Sequence, residues 1–274
     1  MRIVRTVAEA RAAVAAARRA AARHVGFVPT MGALHEGHLK LMRMARAGCD
    51  LVVTSIFVNP RQFNDPKDLA AYPRREPEDA AIADGARVDL LFVPEATEIY
   101  PDGHATSIEV GGAAEGYEGA ARPGHFSGVA TVCLKLFNII EPNVVYFGQK
   151  DVQQVAVIRQ LIRDLNLDIA LEVGPTIRDP DGLALSSRNA RLSPDERRRA
   201  LAIPRALTQG LAAHRHGDDP AAAARVVLAD LTVDYVGVAT FDGEPTLVIA
   251  ARSGATRLID NIPLDRPELA GLRF

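Results

Sequence analysis

Apolar and polar positions along the chain lay out an alternation of buried strands and helices. Val25-Gly26-Phe27-Val28-Pro29 predicts a short buried strand, and Met31 to Gly37 a loop. Leu39 to Ala47 has helical spacing, with Leu41, Met42 and Met44 among its apolar positions. Leu51 to Val58 is a largely apolar, β-branched run that stops at Asn59-Pro60, as suits a parallel strand covered on both faces. A helix around Glu78 to Asp84 precedes a strand over Val88 to Val93, and a helix over Val129 to Ile140 precedes the strand Val144 to Gly148. A further helix covers about Val152 to Leu165, with a strand over Ile169 to Val173. At the start, Ala8 to Ala22 reads as an exposed amphipathic helix, rich in Ala and Arg.

Repeated alternation of this kind argues for an α/β fold with a doubly wound parallel sheet, which binds ligands at the carboxyl ends of its strands. Past Arg178 the pattern changes. Pro194 to Leu211 predicts one charged, Arg-rich helix, and Ala221 to Leu231 another. Val233 to Val238, Thr246 to Ala250 and Thr256 to Ile259 predict short strands. The expected organisation is therefore a larger domain over residues 1–180 and a smaller C-terminal α+β domain over residues 181–274.

Composition narrows the classes of partner. A net charge of −2 provides no sequence-wide basic field for nucleic acid or anionic lipid, so neither nucleic acid nor membrane is expected as a partner. No run of 18 apolar residues is present, which argues against a membrane span. Glu9 interrupts the Ala/Arg stretch and no small-residue cleavage site follows an apolar core, so a transit peptide is not expected. Cys49 and Cys133 cannot build a disulfide framework; both read as buried, reduced thiols of a cytoplasmic protein.

Four segments carry candidate chemistry. Pro29-Thr30-Met31-Gly32-Ala33-Leu34-His35-Glu36-Gly37-His38 runs from a strand through a Gly-containing loop into a helix start. Backbone N–H groups there can face an anion, and His35 and His38 can bring imidazole donors to a phosphate. The spacing does not match a metalloprotease helix and no third ligand presents itself, so no protein metal site is expected. Gly148-Gln149-Lys150-Asp151, again at a strand end, offers an ammonium as a point charge for phosphate, with Asp151 either a helix cap or a metal or ribose contact. Asp181 to Asn189 holds Ser186, Ser187 and Arg188 in a Gly-containing loop; it is either a capped surface loop or a group of donors for a pyrophosphate leaving group. Asn59 and Gln62, at the end of the Leu51 run, are neutral hydrogen-bonders suited to hydroxyl and carboxylate groups, or simply members of an Asn-Pro turn.

Taken together, these segments resemble the pantothenate synthetase family. The likeness lies in Pro29 to His38, in Phe57-Val58-Asn59-Pro60-Arg61-Gln62-Phe63, in Gly148 to Gln154, and in Asp181 to Asn189. It extends to Tyr72-Pro73-Arg74, Tyr100-Pro101-Asp102-Gly103, Arg122 to Phe126 and Thr256 to Asn261, and so covers almost the whole chain. The resemblance implies a Rossmann-like nucleotidyltransferase domain, a smaller C-terminal lid domain and a homodimer. It implies ATP as co-substrate with Mg²⁺, pantoate and β-alanine as substrates, and a pantoyl adenylate intermediate. By that likeness Met31, Gly32, Ala33, Leu34, His35, Glu36, Gly37 and His38 bind ATP, as do Gly148, Gln149, Lys150, Asp151, Ile177, Leu185, Ser186, Ser187 and Arg188. His38 would be proton donor and stabiliser of the α-phosphoryl transition state, and Lys150, Ser186, Ser187 and Arg188 would meet the phosphates. Gln62 and Gln154 would bind pantoate, with Gln62 later near β-alanine. Three positions depart from the family's common form: Leu185 replaces a frequent Met, Gln149 a frequent Glu, and Arg61 a usually apolar residue. The rival enzyme reading is a nucleotidyltransferase acting on a phosphorylated small substrate, and the non-enzyme reading is a nucleotide-binding paralogue.

Overall fold

Strands that are apolar at every position must be covered on both faces, and the computed structural model, which describes residues 1–272, shows how that covering is shared out. Six strands form one sheet: β1 (Arg2–Val4), β2 (Val25–Thr30), β3 (Leu51–Ile56), β4 (Leu90–Phe92), β5 (Val144–Gly148) and β6 (Ala170–Gly174). Their order is β1-β4-β3-β2-β5-β6, and the pairs β1–β4, β4–β3, β3–β2 and β2–β5 are parallel. Because side chains alternate across a strand, each apolar run feeds two cores. Phe27, Val53, Leu90, Phe92, Val145 and Phe147 belong to one core, with Val14 of the helix Val7–Arg19, Phe137 of His125–Ile140 and Ile158 of Val152–Asp164. Val28, Val52, Ile56, Leu91 and Tyr146 belong to the other, with Leu41 and Met42 of the helix Glu36–Gly48 and Ala83 of Glu76–Gly85. This is the doubly wound arrangement that the hydrophobic pattern predicts. Strand β1 escaped that pattern because it is only three residues long and two of them are exposed.

The chain divides into two compact units. One contains Met1–Leu34, His38–Phe147 and Gln154–Gly174; the other contains His35–Gly37, Gly148–Gln153 and the chain from Pro175 onward. The second unit is built on an antiparallel sheet, β7 (Thr232–Phe241), β8 (Glu244–Ser253) and β9 (Thr256–Pro263), in that order. Strands β7 and β8 are longer than the sequence pattern suggests, because a two-residue Asp242–Gly243 turn with both residues at positive φ joins them directly. Leu247, Ile249 and Ile262 of this sheet share a core with Ile203, Leu207 and Leu211.

The single helix predicted over Pro194 to Leu211 is in fact two, Pro194–Ala200 and Ala202–His216. Pro204 has no N–H to give the Ala200 carbonyl, so the ladder stops there. It restarts with Pro204 in a first turn, where no donor is needed. The helix predicted over Ala221 to Leu231 is also shorter, Pro220–Val227. Cys49 and Cys133 are buried and unpaired, and burial pushes the Cys133 thiol up to about 12.

A buried ion pair ties the second unit together. Arg178 donates to both carboxylate oxygens of Asp260 at 2.7 and 3.0 Å, and also to the Ala270 and Gly182 carbonyls. The two side chains are 5% and 2% exposed, so removing one strands the other charge away from water. Asp260→Ala is expected to destabilise the protein by about 3–5 kcal/mol in denaturant unfolding, the scale of an orphaned buried charge.

Candidate active site

Chain order in the main sheet reverses at β2, which lies between β3 and β5, and such a switch point is where open α/β sheets bind ligands. Beyond β2 the backbone turns sharply, with Gly32 at φ +82° and Ala33 at φ +53°. That turn leaves peptide N–H groups facing inward, and each needs an acceptor. Thr30 Oγ1 accepts from Gly32 N at 3.1 Å, while the buried Asp79 carboxylate accepts from Ala33 N at 2.9 Å and Leu34 N at 2.7 Å. Asp79 is thus the organiser of the Met31–Leu34 loop, a role the sequence motifs alone did not single out. The only signal was a Gly-Ala turn in need of a buried acceptor. His38 lies, half-buried, in the first turn of the helix Glu36–Gly48, and Glu36 is exposed at its start.

His35, Glu36 and Gly37 belong to the second unit, together with Gly148 to Asp151. His35 Nδ1 accepts from Gly37 N at 3.2 Å, so the ring carries its proton on Nε2 and is neutral in this arrangement. Burial lowers the His35 pKa from its ordinary 6.5 and the Lys150 ammonium lowers it further, while Asp151 and Asp179 oppose them. The structure therefore brings His35, Lys150 and Asp151 within electrostatic range of one another. Gln149–Asp151 form a 3-10 turn running straight into the helix Val152–Asp164, so Asp151 sits inside this turn. Lys150 Nζ lies 3.5 Å from Asp151 Oδ1. The turn's backbone is held from β9. Buried Asn261 donates to the carbonyls of Gln149 and Lys150 at 3.0 and 2.9 Å and accepts from Gln149 Nε2 at 3.0 Å. The family-atypical Gln149 thus acts as a donor, which a glutamate carboxylate cannot do. Asn261 was visible in the sequence only as part of a matching stretch with no role attached.

The loop from Ile177 to Arg191 folds back on itself within this unit. Leu185 N donates to Ile177 O at 2.9 Å and Asp179 N to Leu183 O at 2.8 Å. Arg197 clamps the turn through Asp179 at 2.6 Å and Asp181 at 2.8 Å, and its guanidinium holds Asp181 below the usual carboxylate range. Ser186 caps the 3-10 turn Ser187–Arg191 by accepting from Arg188 N, so the capping reading of that serine is realised. Ser187 and Arg188 are half-buried, and the Arg188 guanidinium has no carboxylate partner among the described residues.

In the first unit the Asn59-Pro60 turn becomes a short 3-10 helix, Pro60–Gln62, capped by Asn59. Asn59 and Gln62 are 1% and 8% exposed and are hydrogen-bonded to each other at 2.9 Å. Helix His125–Ile140 comes so close that a Cβ on Gly128 would lie 2.3 Å from the Arg61 carbonyl oxygen. The Arg61 side chain is exposed, with its guanidinium 5.6 Å from the Tyr100 ring centroid and Nη1 3.0 Å from His104 Nδ1. Gln154 is half-buried in the first turns of Val152–Asp164.

Comparison with known proteins settles the family. The Pantoate-beta-alanine ligase profile matches residues 2–263. The chain belongs to the pantoate–beta-alanine ligase family. Among its relatives, the pantothenate synthetase of Rhizorhabdus wittichii is 51% identical over 97% of this chain and 99% of its own length. The pantothenate synthetase of Cereibacter sphaeroides is 50% identical over 96% and 99%. A crystal structure of the Thermus thermophilus enzyme superposes with a TM-score of 0.91 at 41% identity, covering 96% of this chain and 99% of that one. The Francisella tularensis ligase, crystallised with beta-gamma ATP and beta-alanine, gives 0.82 at 37% identity, covering 97% and 98%. Membership of the family makes this chain an ATP-dependent acid–amine ligase that joins pantoate to β-alanine through an adenylate, with ATP as co-substrate and Mg²⁺ as cofactor.

The His35 environment is directly testable by NMR titration of the ring. Its pKa is expected below 6.5, to rise in Lys150→Gln, where a positive neighbour is lost, and to fall further in Asp179→Asn. Between the folded pKa and 6.5 the unfolded chain binds more protons, so the contribution of neutral His35 to stability is lost as pH falls through that window. Gly128→Ala is expected to lower stability by about 1–3 kcal/mol in denaturant unfolding, because the Cβ meets backbone that cannot rotate away.

Proposed function

We propose the following division of labour for the ligase reaction. The larger domain, residues 1–180, binds ATP and pantoate, and residues 181–274 form the smaller lid domain. Pantoate is read by Gln62 and Gln154 directly and by Asn59 through its hold on Gln62. Nucleotide is held by Met31 to His38, Gly148 to Asp151, Ile177 and Leu185 to Arg188. A pantoate carboxylate oxygen attacks the α-phosphorus of ATP and pyrophosphate leaves. The neutral amine of β-alanine then attacks the acyl carbon of the adenylate, and AMP leaves. Negative charge grows on the phosphoryl oxygens in the first step, and preorganised donors lower its barrier. His38 and the neutral His35, through its Nε2–H, donate to those oxygens. Lys150 supplies a point charge, and Ser186, Ser187 and Arg188 take the leaving pyrophosphate. Mg²⁺, when bound, neutralises phosphate charge. Among the described residues no group of three or more His, Cys, Asp or Glu gathers to hold an ion. Asp151, beside Lys150, would be the carboxylate offered to Mg²⁺, which would supply neutralising charge to the phosphates.

The observation that best supports this assignment is the grouping of a neutral imidazole with an ammonium on a turn pinned by Asn261. Both carry donors suited to anionic oxygen, Lys150 with the Asp151 carboxylate 3.5 Å away. The protein is further proposed to be a homodimer and to work in the cytoplasm. Among the described residues no helix is long and apolar enough to cross a membrane.

Pantoate-dependent exchange of labelled pyrophosphate into ATP, with Mg²⁺ present and β-alanine absent, isolates the adenylation step. The wild-type chain is expected to exchange, and His38→Ala to lower single-turnover adenylation by at least ~10²-fold, the scale of losing a positioned donor. Near-wild-type adenylation in that variant would remove His38 from the mechanism.

A further inference from the structure

A side-chain amide can face a substrate as donor or as acceptor, and the neighbours of Gln62 decide which. Asn59 is the pivot. Its Oδ1 accepts from the backbone N–H of Arg61 at 3.3 Å and from the Tyr100 hydroxyl at 2.8 Å. Its Nδ2 donates to the Gly128 carbonyl at 3.0 Å and to Gln62 Oε1 at 2.9 Å. A backbone N–H can only donate and a carbonyl can only accept, so the Asn59 amide has one permitted orientation. Gln62 Oε1 is thereby held against Asn59 with one of its two lone pairs engaged, and Nε2 carries the donors offered to a ligand. The Gln62 main chain is fixed as well, its carbonyl accepting from Arg122 at 3.2 Å and lying 2.9 Å from His125 Nδ1.

The Tyr100 hydroxyl is the closer of the two donors to Asn59 Oδ1. Its ring is held by Phe57 at 6.1 Å and His104 at 5.0 Å between centroids, with Arg61 and Lys135 at 5.6 and 5.7 Å from the ring centre. Burial raises the phenol pKa, so the hydroxyl keeps the proton it donates. From this geometry we infer that Gln62 is a one-way hydrogen-bond donor whose polarity is set through Asn59 by the Arg61 N–H and the Gly128 carbonyl, with the Tyr100 hydroxyl holding the Asn59 amide in place. Tyr100 is then a positioning residue, and the pocket selects an acceptor oxygen on the hydroxy-acid substrate at this point. The inference rests on the proposed contact between Gln62 and pantoate.

Four variants, assayed by pyrophosphate exchange without β-alanine, separate the two claims. Gln62→Ala tests the contact alone: an unchanged KM for pantoate would refute the contact, whatever holds the amide. Gln62→Glu keeps the shape, still accepts from Asn59, and turns a second acceptor towards the substrate. It should therefore raise the pantoate KM more than Gln62→Ala does, by about tenfold or more on the scale of a mismatched polar contact. A wild-type KM in Gln62→Glu would overturn the donor assignment. Asn59→Asp removes the donor that engages Oε1 and lets the Gln62 amide turn round; a similar rise is expected. Tyr100→Phe retains the ring and its stacking and removes only the hydroxyl. It should raise the pantoate KM about 3- to 10-fold, the worth of one hydrogen bond, with the ATP KM and the melting temperature close to wild type. If Gln62→Ala raises the pantoate KM while Tyr100→Phe leaves it unchanged, the relay is wrong. Equal changes in both KM values, or a large fall in melting temperature, would make Tyr100 merely structural and overturn the proposal as well.

Discussion

The position of β2 between β3 and β5 is the constraint on which the rest of the molecule depends. Because both faces of these strands are covered, their side chains are committed to two cores and chemistry can begin only where the strands stop. The segments that carry Met31 to His38, Asn59 to Gln62 and Gly148 to Asp151 each follow a carboxyl end of one of the three. Parallel pairing puts those ends on the same edge of the sheet. In the first unit, Met31 to Leu34 and Asn59 to Gln62 therefore leave the sheet at the same edge although they are far apart in sequence.

Ending a buried strand creates a second problem, since the turning backbone exposes N–H and C=O groups that water cannot reach. Each functional segment solves it with one buried polar side chain from elsewhere. Asp79 accepts from the loop after β2, Asn59 spans the Arg61 N–H and the Gly128 carbonyl, and Asn261 donates to two carbonyls of the turn after β5. All three engage backbone groups, and Asn59 and Asn261 each also hold a neighbouring glutamine side chain. They also determine which atoms are left for a ligand, because a satisfied group is no longer available. Fixed amides and carboxylates of this kind hold their geometry before substrate arrives, which is the condition for electrostatic preorganisation.

Charge is distributed on the same principle. His35 is kept neutral by burial and by Lys150, so one strong positive charge rather than two stands at this place. A doubly cationic pair would repel itself in the absence of phosphate. A neutral imidazole keeps a donor on its other ring nitrogen at no such penalty. Arg188 is arranged differently, on a loop clamped by Arg197 through Asp179 and Asp181, with its own guanidinium unpaired by any described carboxylate.

By itself the sequence determined the α/β class, nearly all strands of the main sheet, the short strands of the C-terminal unit and the candidate segments for chemistry. Those properties follow from hydrophobic periodicity and from local residue types, which act over a few residues. The break at Leu201 was legible in principle from Pro204, a local rule outweighed by the long run of good helix formers on either side. Strand β1 was too short to show a period at all. What only the tertiary structure decided is orientation: that Asp79 serves backbone N–H groups, that His35 accepts at Nδ1, and that Gln62 gives its Oε1 to Asn59. Each is set by a hydrogen-bond partner two to 46 positions away along the chain, as for Gly37 with His35 and Ala33 with Asp79. A one-dimensional pattern records which groups are present, whereas the direction of a hydrogen bond depends on which two groups the fold brings within about 3 Å.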